Sequence, residues 1–252
     1  MHLHFIENGP ALLVERDRRV LVIADLHMGI ESGLKRHGVH VASRSAARRD
    51  RVLACIEEAE PDLLILLGDV KHNVPVTSRQ EYLELPGVLD AFRDRVPLAV
   101  VPGNHDGGIG RFLDPGELLP VDGVVIDGVG YLHGHTHPDP ELFGHLVVLG
   151  HHHPVVSLMD AVGCAARARP AYLYSGLAAS CLPEGAAPEE NPTRLLFVPA
   201  FNEFAGGIDI GRLRGSGLGP LSRCIDDRTA EVFLADGTYV GSPATLCPDD
   251  GG

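Results

Sequence analysis

The amino-acid sequence predicts an α/β fold in which helices cover a sheet of buried strands. Short apolar runs of strand length alternate with helical patterns over the first two thirds of the chain. These runs are almost continuously apolar, which is typical of strands that are buried on both faces. The length of 252 residues and the 44% hydrophobic composition are sufficient for a large core and exclude a disordered chain.

The predicted elements of the first two thirds follow one another as strand, helix and strand. One helix is expected over Ser43–Glu60, where apolar residues recur with a period of 3.6. A second is expected over Arg79–Val96, interrupted at Pro86–Gly87 because proline breaks helical hydrogen bonding. The predicted strands are Arg19–Ala24, Asp62–Leu67, Leu98–Val101, Val124–Leu132 and Leu146–Leu149.

The last third of the chain is less regular. Strands are predicted at Leu195–Val198 and Ala230–Leu234, and Asp236–Gly237 is a hairpin-type turn. The segments 184–192 and 206–219 are predicted to be loops, because the first is polar and proline-containing and the second is rich in glycine. We expect a single domain over residues 1–241 and a frayed tail over residues 242–252.

Charge and cysteine usage restrict the class of protein. A net charge of −13 excludes a nucleic-acid binder held by a global positive field, although it permits a local positive site. No apolar stretch resembles a signal peptide or is long enough to span a membrane. The five cysteines form no CxxC pair, so we expect reduced thiols in a cytoplasmic protein without a membrane partner. Four arginines are expected to form a solvated helix face: Arg44, Arg48, Arg49 and Arg51.

Polar clusters of one chemical type follow the predicted strands. Ligands of open α/β sheets bind beyond the carboxyl ends of strands, so residues distant in sequence are expected to converge there. The sequence motifs are DxH, GD, GNHD, a single histidine and GHxH, in that order. The polar residues are Asp25, His27, Asp69, Asn104, His105, Asp106, His133, His151 and His153.

The side-chain types in these clusters indicate a metal site. Carboxylate oxygens, imidazole nitrogens and an amide carbonyl suit Mn, Fe, Zn or Ni better than Mg or Ca. Residues two apart in an extended segment point to the same side, which places Asp25 with His27 and His151 with His153. On the same argument His152 points away.

The ordered motif set resembles the calcineurin-like metallophosphoesterases, a superfamily with dinuclear metal sites. The tail residues 198–202, 206–207 and 236–238 also resemble one branch, the small archaeal phosphoesterases related to the nuclease subunit of the double-strand-break repair complex. The resemblance implies a four-layer αββα fold, in which two mixed sheets pack as a sandwich flanked by helices.

The resemblance also implies a role for each motif residue. His105 would be the non-ligand histidine that protonates the leaving oxygen or stabilises the transition state, and Asp106 would orient its loop. Asp69 would bridge the two metals. The ligands of the first metal would be Asp25, His27, Asp69 and His153. The ligands of the second would be Asp69, Asn104, His133 and His151.

Two assignments have alternatives. Gly134-His135-Thr136-His137 is a second GHxH-like string, and in another register His135 and His137 would replace His151 and His153. We favour the later pair, because the family pattern has one histidine, here His133, before the closing GHxH. His135 is then a substrate contact or a pocket wall. His72 is either a substrate contact or a loop histidine at the surface.

The function that the resemblance implies is hydrolysis of a phosphate ester by a metal-bridged hydroxide. The cofactors would be two divalent transition metal ions, manganese foremost, with Fe, Zn, Ni and Co as alternatives. The expected substrate is a phosphodiester, with nucleic acid, DNA repair and a helicase or other DNA-processing partner as extensions. A small-molecule phosphomonoesterase or cyclic-nucleotide phosphodiesterase is the rival interpretation. A non-catalytic scaffold ranks last, because all seven ligand positions and His105 are filled.

Overall fold

A computed structural model of the chain describes residues 1–159, 165–182 and 192–246, and it contains two mixed β-sheets. The first sheet has five strands in sequence order, of which the first three are antiparallel and the last three are parallel. The strands are β1 (His2–Ile6), β2 (Ala11–Glu15), β3 (Arg19–Ile23), β4 (Leu63–Leu67) and β5 (Leu98–Val101).

Helices connect the parallel strands and cover the outer face of the first sheet. They are α1 (Ile30–Arg36), α2 (Ser45–Ala59) and α3 (Arg79–Arg93). Parallel neighbours need a crossover connection, and here each crossover contains at least one of these helices. Val52 and Ile56 of α2 and Leu85 and Leu89 of α3 are buried in the core on that face.

The second sheet has nine strands and contains the other strands of the described residues. Its strands are β6 (Val124–Ile126), β7 (Val129–Leu132), β8 (Leu146–Leu149), β9 (Pro154–Met159), β10 (Ala165–Gly176), β11 (Arg194–Phe197), β12 (Ile208–Asp209), β13 (Glu231–Leu234) and β14 (Tyr239–Gly241). The main path of the sheet runs β12-β9-β10-β11-β8-β7-β6, and β13 pairs with both β10 and β14. Strands β7, β8 and β11 are mutually parallel.

The two sheets pack face to face around an apolar core. Val22 and Ile65 of the first sheet belong to the same buried cluster as Tyr131, Val148 and Leu196 of the second. This packing brings the loops that follow β3 and β4 against the loops that follow β7 and β8. The α/β class and the sandwich of two mixed sheets are therefore confirmed.

The outer face of the second sheet has a thinner cover. Its helices are short: α4 (Ile210–Leu213) and α5 (Pro243–Leu246). A disulfide between Cys181 and Cys224 joins the segment after β10 to this cover. The prediction of reduced thiols is wrong for these two cysteines, because their close approach depends on sheet packing and leaves no signature in their spacing. Cys55 is a buried free thiol, and Cys164 and Cys247 lie outside the described residues.

Two predicted elements differ from the structure because of turn chemistry and packing. The strand predicted over residues 124–132 is a hairpin of β6 and β7, since Asp127 and Gly128 have left-handed φ values of 51° and 70°. Helix α3 continues through Pro86, although an interruption was predicted there. Its buried residues lie on both sides of Pro86, and Ser78 and Glu81 form a capping box at its start.

Three further findings concern the C-terminal part and membrane spans. The glycine-rich segment 206–219, predicted to be a loop, contains β12 and α4. Residues 243–246 of the predicted frayed tail form α5, and residues 247–252 lie outside the described part. Among the described residues, no helix is long and apolar enough to cross a membrane.

Candidate metal centre

The loop after β3 and the loop after β8 form one group of potential metal ligands. One ligand atom each from Asp25, His27 and His153 lies within 4.8 Å of the others. Nε2 of His153 is 3.1 Å from Oδ1 of Asp25. Asp25 and His27 are almost fully buried, at 0% and 4% exposure. This group contains three of the four residues predicted for the first metal.

A second group combines the loops after β4, β7 and β8. Potential ligand atoms of Asp69, His133 and His151 also lie within 4.8 Å of one another. Nε2 of His133 is 3.4 Å from Oδ1 of Asp69. His151 and His153 were expected to share one face, but they contribute to separate groups. The segment that contains them is not extended, so the argument from residues two apart does not hold there.

Asp69 of the second group also faces the first group. Its Oδ1 faces His133, and its Oδ2 is 3.6 Å from Nε2 of His27 in the first group. Asp69 is 2% exposed, and Oδ1 also accepts a hydrogen bond from the backbone N–H of His105 at 2.8 Å. A carboxylate with one oxygen toward each group has the placement that a bridging ligand requires.

Most of these residues have a backbone conformation that non-glycine residues rarely adopt. The positive φ values are 58° at Asp25, 42° at His27, 49° at Asp69, 67° at His151 and 44° at His153. Each such residue costs about 1–2 kcal/mol, and the cost persists only where surrounding contacts hold the backbone in place. The chain thus turns sharply where each strand ends, and the side chains point to a common centre.

Glycines in the motifs permit the close approach of these loops. A Cβ on Gly68 would lie 2.1 Å from Nδ1 of His133, and Gly68 has a φ of +77°. A Cβ on Gly103 would lie 2.2 Å from Oδ1 of Asp69. The glycine of GD and the glycine of GNHD are therefore required because ligand side chains occupy the space next to them.

The nitrogen atoms of the two groups suit a bound cation. Nε2 of His133 and Nε2 of His153 are buried and make no hydrogen bond, despite the carboxylates nearby. Nδ1 of His133 donates to the carbonyl oxygen of Leu67 at 2.9 Å, which leaves Nε2 as the free lone pair of the neutral ring. Buried polar atoms without a partner are costly, and a metal ion would satisfy both. The donor set therefore fits divalent transition metals.

The carboxylates and imidazoles shift one another's protonation. Burial alone would raise the pKa of Asp25, but His153 and His133 hold that pKa below its ordinary value. Burial alone would lower the pKa of His133, but contacts with Asp69 and Asp25 raise it to about 9. Burial lowers the pKa of His27 to about 3. Without a metal, the nearby carboxylates therefore favour the protonated form of His133, whereas a bound metal requires the neutral ring with its lone pair on Nε2.

His105 stands beside these groups without belonging to either. Its Nδ1 contacts the carbonyl oxygen of His72, so Nδ1 carries the proton and Nε2 is directed elsewhere. Nε2 lies 3.9 Å from Oδ2 of Asp69. The His105 side chain is 24% exposed, which leaves it accessible from solvent.

Asp106 connects the GD loop with the GNHD loop through hydrogen bonds of its buried carboxylate. Its carboxylate accepts backbone N–H groups of Gly103 at 2.8 Å and of Lys71 at 3.1 Å. Burial raises the pKa of Asp106 to about 6, against the effect of these hydrogen bonds. Asp106 therefore positions the GNHD loop on the GD loop and does not face the centre.

His72 lies at the edge of the centre. Nδ1 of His72 is 3.2 Å from Nδ1 of His27, and its ring stacks on that of His105 with centroids 5.4 Å apart. His27, His72 and His105 form a third group with ligand atoms within 4.8 Å. The structure places His72 beside the candidate ligands, partly exposed, and not on a remote loop surface.

The remaining predicted residues are more peripheral. Asn104 is exposed and its side chain makes no hydrogen bond within the described part of the chain. The ring of His135 lies 5.3 Å from that of His133, and its buried Nδ1 has no partner. His137 is exposed and belongs to a different pocket. Among the described residues, no ligand group includes His135 or His137, so the geometry favours the register with His151 and His153.

Three residues make contacts that support the candidate centre and that the sequence analysis did not predict. Nζ of Lys71, fully buried, donates to the carbonyl oxygen of Asn73 at 2.7 Å and also to that of His105. Nε2 of His151 donates to the carbonyl oxygen of Leu218 at 3.0 Å, which leaves Nδ1 free to face the centre. Asn202 binds the backbone of the His27 loop. The chain has only two lysines and one of them lies in GDVKH, a signal that could have identified Lys71.

Comparison with known proteins identifies the family of the chain. Residues 18–177 match the family model described as calcineurin-like phosphoesterase. The crystal structure of Pseudomonas putida nuclease MPE is similar with a TM-score of 0.51 and 18% identity, over 93% of this chain and 96% of that one. The E. coli phosphoesterase Yfce gives a TM-score of 0.41 and 13% identity, over 88% of this chain and 96% of that one.

The family match covers more than half of the chain, and the chain belongs to the calcineurin-like phosphoesterase family. The protein is a metal-dependent hydrolase of phosphoric ester bonds, with histidine and aspartate groups suited to divalent metals.

Proposed function

We propose that the protein is a phosphodiesterase with a dinuclear metal site and a nuclease-like substrate. The observation that carries this proposal is the pair of adjacent ligand groups, in which Asp69 of the second group also faces His27 of the first. In this proposal Asp25, His27 and His153 hold one ion, and His133 and His151 hold the other. Asp69 would be shared between the ions, and exposed Asn104 would complete the second set.

The charge of such a centre favours a phosphate ester. Two divalent ions carry +4, and Asp25 and Asp69 contribute −2, so the formal charge of the core is +2. A phosphate group is attracted to that core even though the whole chain carries −13. When bound, the ions would neutralise phosphoryl charge and lower the pKa of a water molecule.

The residues of the chain then have separable tasks. His105, fixed through Nδ1 by the carbonyl oxygen of His72, presents Nε2 at the edge of the centre. When the ring is protonated on both nitrogens, Nε2 can donate its proton from there to the leaving oxygen. His72, with its ring stacked on His105, is placed to contact the substrate. His135 forms part of the wall beside His133 and His151.

We propose a diester substrate and not a monoester, because the fold is similar to that of a nuclease. This similarity extends over almost the whole of both chains. Manganese is the proposed metal, since the mixed nitrogen and oxygen donors suit it. A role in DNA repair and a helicase partner rest only on the resemblance of the tail motifs.

The test compares two chromogenic substrates after removal of bound metal by chelation. Hydrolysis of bis-p-nitrophenyl phosphate and of p-nitrophenyl phosphate is measured with Mn, Ni, Co, Zn and Mg added back separately. We expect a higher kcat/KM for the diester, maximal activity with a transition metal, and cleavage of single-stranded DNA under the same conditions.

Other outcomes would overturn parts of this proposal. Preference for the monoester would indicate a phosphomonoesterase. Activity with only one bound ion per chain would contradict the dinuclear assignment. Absence of turnover with every metal, in a protein that still binds metal, would indicate a non-catalytic scaffold.

A further inference from the structure

A pocket lies beside the candidate metal centre on the side of His153. Its volume is about 240 Å³, and His153 itself is on its wall. The rest of the wall is mostly apolar and includes Pro154, Val155 and Pro199. The rigid proline rings keep this space open next to a residue of the first ligand group. A substituent on a phosphate bound at the centre could extend into it.

Arg51 places a positively charged guanidinium on the wall of this pocket. Its guanidinium lies over the ring of Phe201, with Cζ 4.4 Å from the centroid. Phe201 is 1% exposed and cannot itself stack on a ligand, whereas the Arg51 side chain is 37% exposed. Because Phe201 supports one face of the planar guanidinium, Arg51 offers a flat, hydrogen-bonding surface to the pocket.

The positive charge around Arg51 is only partly compensated by nearby carboxylates. Glu203 also lines the pocket, but it is shared with Arg44 at 2.9 Å and Arg48 at 3.2 Å, while Arg51 is 3.6 Å away. Arg48 also contacts Glu31 at 2.8 Å and is 1% exposed, so the prediction of a solvated face is wrong for this arginine. Three guanidinium groups thus face two carboxylates, a local excess of one positive charge.

We propose that this pocket binds the nucleoside esterified to the scissile phosphate, with Arg51 as its contact. The inference rests on the proposed phosphodiesterase activity and names the substrate of that same centre. A volume of 240 Å³ corresponds to about eight water molecules. That space suits a single nucleobase with apolar walls around its ring, and it is too small for a double helix. The pocket therefore accepts one unpaired nucleoside, such as that of a single strand, a strand end or a small nucleotide ester.

The test uses substrates with one leaving group and different substituents. Thymidine 5′-(p-nitrophenyl phosphate) and its 3′ isomer carry the nucleoside, and methyl p-nitrophenyl phosphate does not. We expect the wild-type protein to have a lower KM for at least one thymidine ester than for the methyl ester. Arg51→Ala should raise the KM of that thymidine ester about tenfold, as expected for the loss of a contact with a charged group. Its kcat, and both constants for the methyl ester, should change less than about twofold.

A matched control removes the same charge from the same helix. Arg49 is on α2, pairs with Asp50 at 2.7 Å and does not line the pocket, so Arg49→Ala should leave the KM of both esters unchanged. Arg51→Lys keeps the charge but loses the planar fork, and should recover only part of the affinity.

Direct binding separates this inference from the proposed function. Binding of thymidine 5′-monophosphate and of inorganic phosphate to the manganese-loaded protein is measured by calorimetry. We expect the nucleotide to bind more tightly than phosphate, and Arg51→Ala to remove most of the difference. An Arg51-dependent preference without diester turnover would overturn the proposed function and keep the pocket assignment. Equal KM values for all esters together with equal binding of nucleotide and phosphate would overturn the pocket assignment.

Discussion

The side-chain amide of Asn202 donates a hydrogen bond from Nδ2 to the backbone carbonyl oxygen of His27, at 3.2 Å. The same nitrogen donates to the carbonyl oxygen of Leu26 at 2.7 Å, and Oδ1 accepts the backbone N–H of Phe204 at 2.8 Å. The backbone N–H of Asn202 reaches the carbonyl oxygen of Asp25 at 3.3 Å. A residue late in the chain therefore supports the strained loop that carries the first ligands.

Replacement of Asn202 should affect this loop. Asn202→Ala leaves two carbonyl oxygens and one N–H without their partner, and we expect the free energy of unfolding to fall by about 1–3 kcal/mol. We also expect manganese affinity to fall about tenfold, because the support of metal ligands tunes affinity. Urea denaturation of the metal-free protein and metal titration measure the two effects.

The control for Asn202 is another asparagine whose amide is bonded at the surface. Nδ2 of Asn8 donates to Glu58 at 2.8 Å in an exposed position, so Asn8→Ala should change metal affinity little. If Asn202→Ala lowered stability but left manganese affinity equal to that of wild type, its role would be purely structural.

His105 is expected to act on the substrate without holding metal. His105→Asn removes the imidazole whose Nε2 would donate the proton, and we expect turnover of bis-p-nitrophenyl phosphate to fall by about 10²-fold or more. Elemental analysis should find the same metal content as in wild type. His40→Asn, at an exposed position outside the centre, is the matched control. Wild-type turnover in His105→Asn would contradict the assignment of His105 as the residue that acts on the substrate.

Metal uptake should release protons at neutral pH. Burial opposes the charge on both His133 and His153, but the carboxylates raise the pKa of His153 and raise that of His133 from 6.5 to about 9. A metal ligand must be neutral, so binding at pH 7 displaces the His133 proton. His27 contributes none, because burial lowers its pKa to about 3.

The sign of the pH dependence follows from these protons. Between pH 6.5 and 9, apparent metal affinity should rise with pH, by about tenfold per unit for each proton released. Calorimetry in buffers of different ionisation enthalpy measures the number of protons directly. Binding at pH 7 without proton release would contradict the charged state of His133.

Two glycine substitutions should have opposite effects. In Gly103→Ala the new Cβ would lie 2.4 Å from the backbone nitrogen of Asp69 and 2.8 Å from Nε2 of His133. We expect the substitution to lower the unfolding free energy by more than about 1 kcal/mol and to impair metal binding. Gly87→Ala, inside α3 with nothing within 4 Å, should raise stability by up to about 1 kcal/mol. Urea denaturation measures the unfolding free energy of both variants, and metal titration measures their metal affinity. Equal unfolding free energies and equal metal affinities of the two variants would contradict this account.

Local patterns were sufficient for much of the fold. Strand β5 and strand β8 were predicted to the residue, because continuous apolar runs bounded by polar motifs have a clear length and clear ends. The turn at Asp127–Gly128 could have been predicted, because an Asp-Gly pair between apolar residues is itself a hairpin signal. Helix α3 persists through Pro86 because burial of its apolar face outweighs the local penalty at proline.

The sequence by itself determined which residue types follow each strand, and therefore the chemistry that the centre can support. Only the tertiary structure decided how these residues associate: His151 with Asp69, His153 with Asp25, and His72 with His27. It also decided that Asn202 supports the first loop and that Cys181 pairs with Cys224. Periodicity describes neighbours along the chain, whereas these contacts depend on how two sheets pack and how sharply the chain turns where each strand ends.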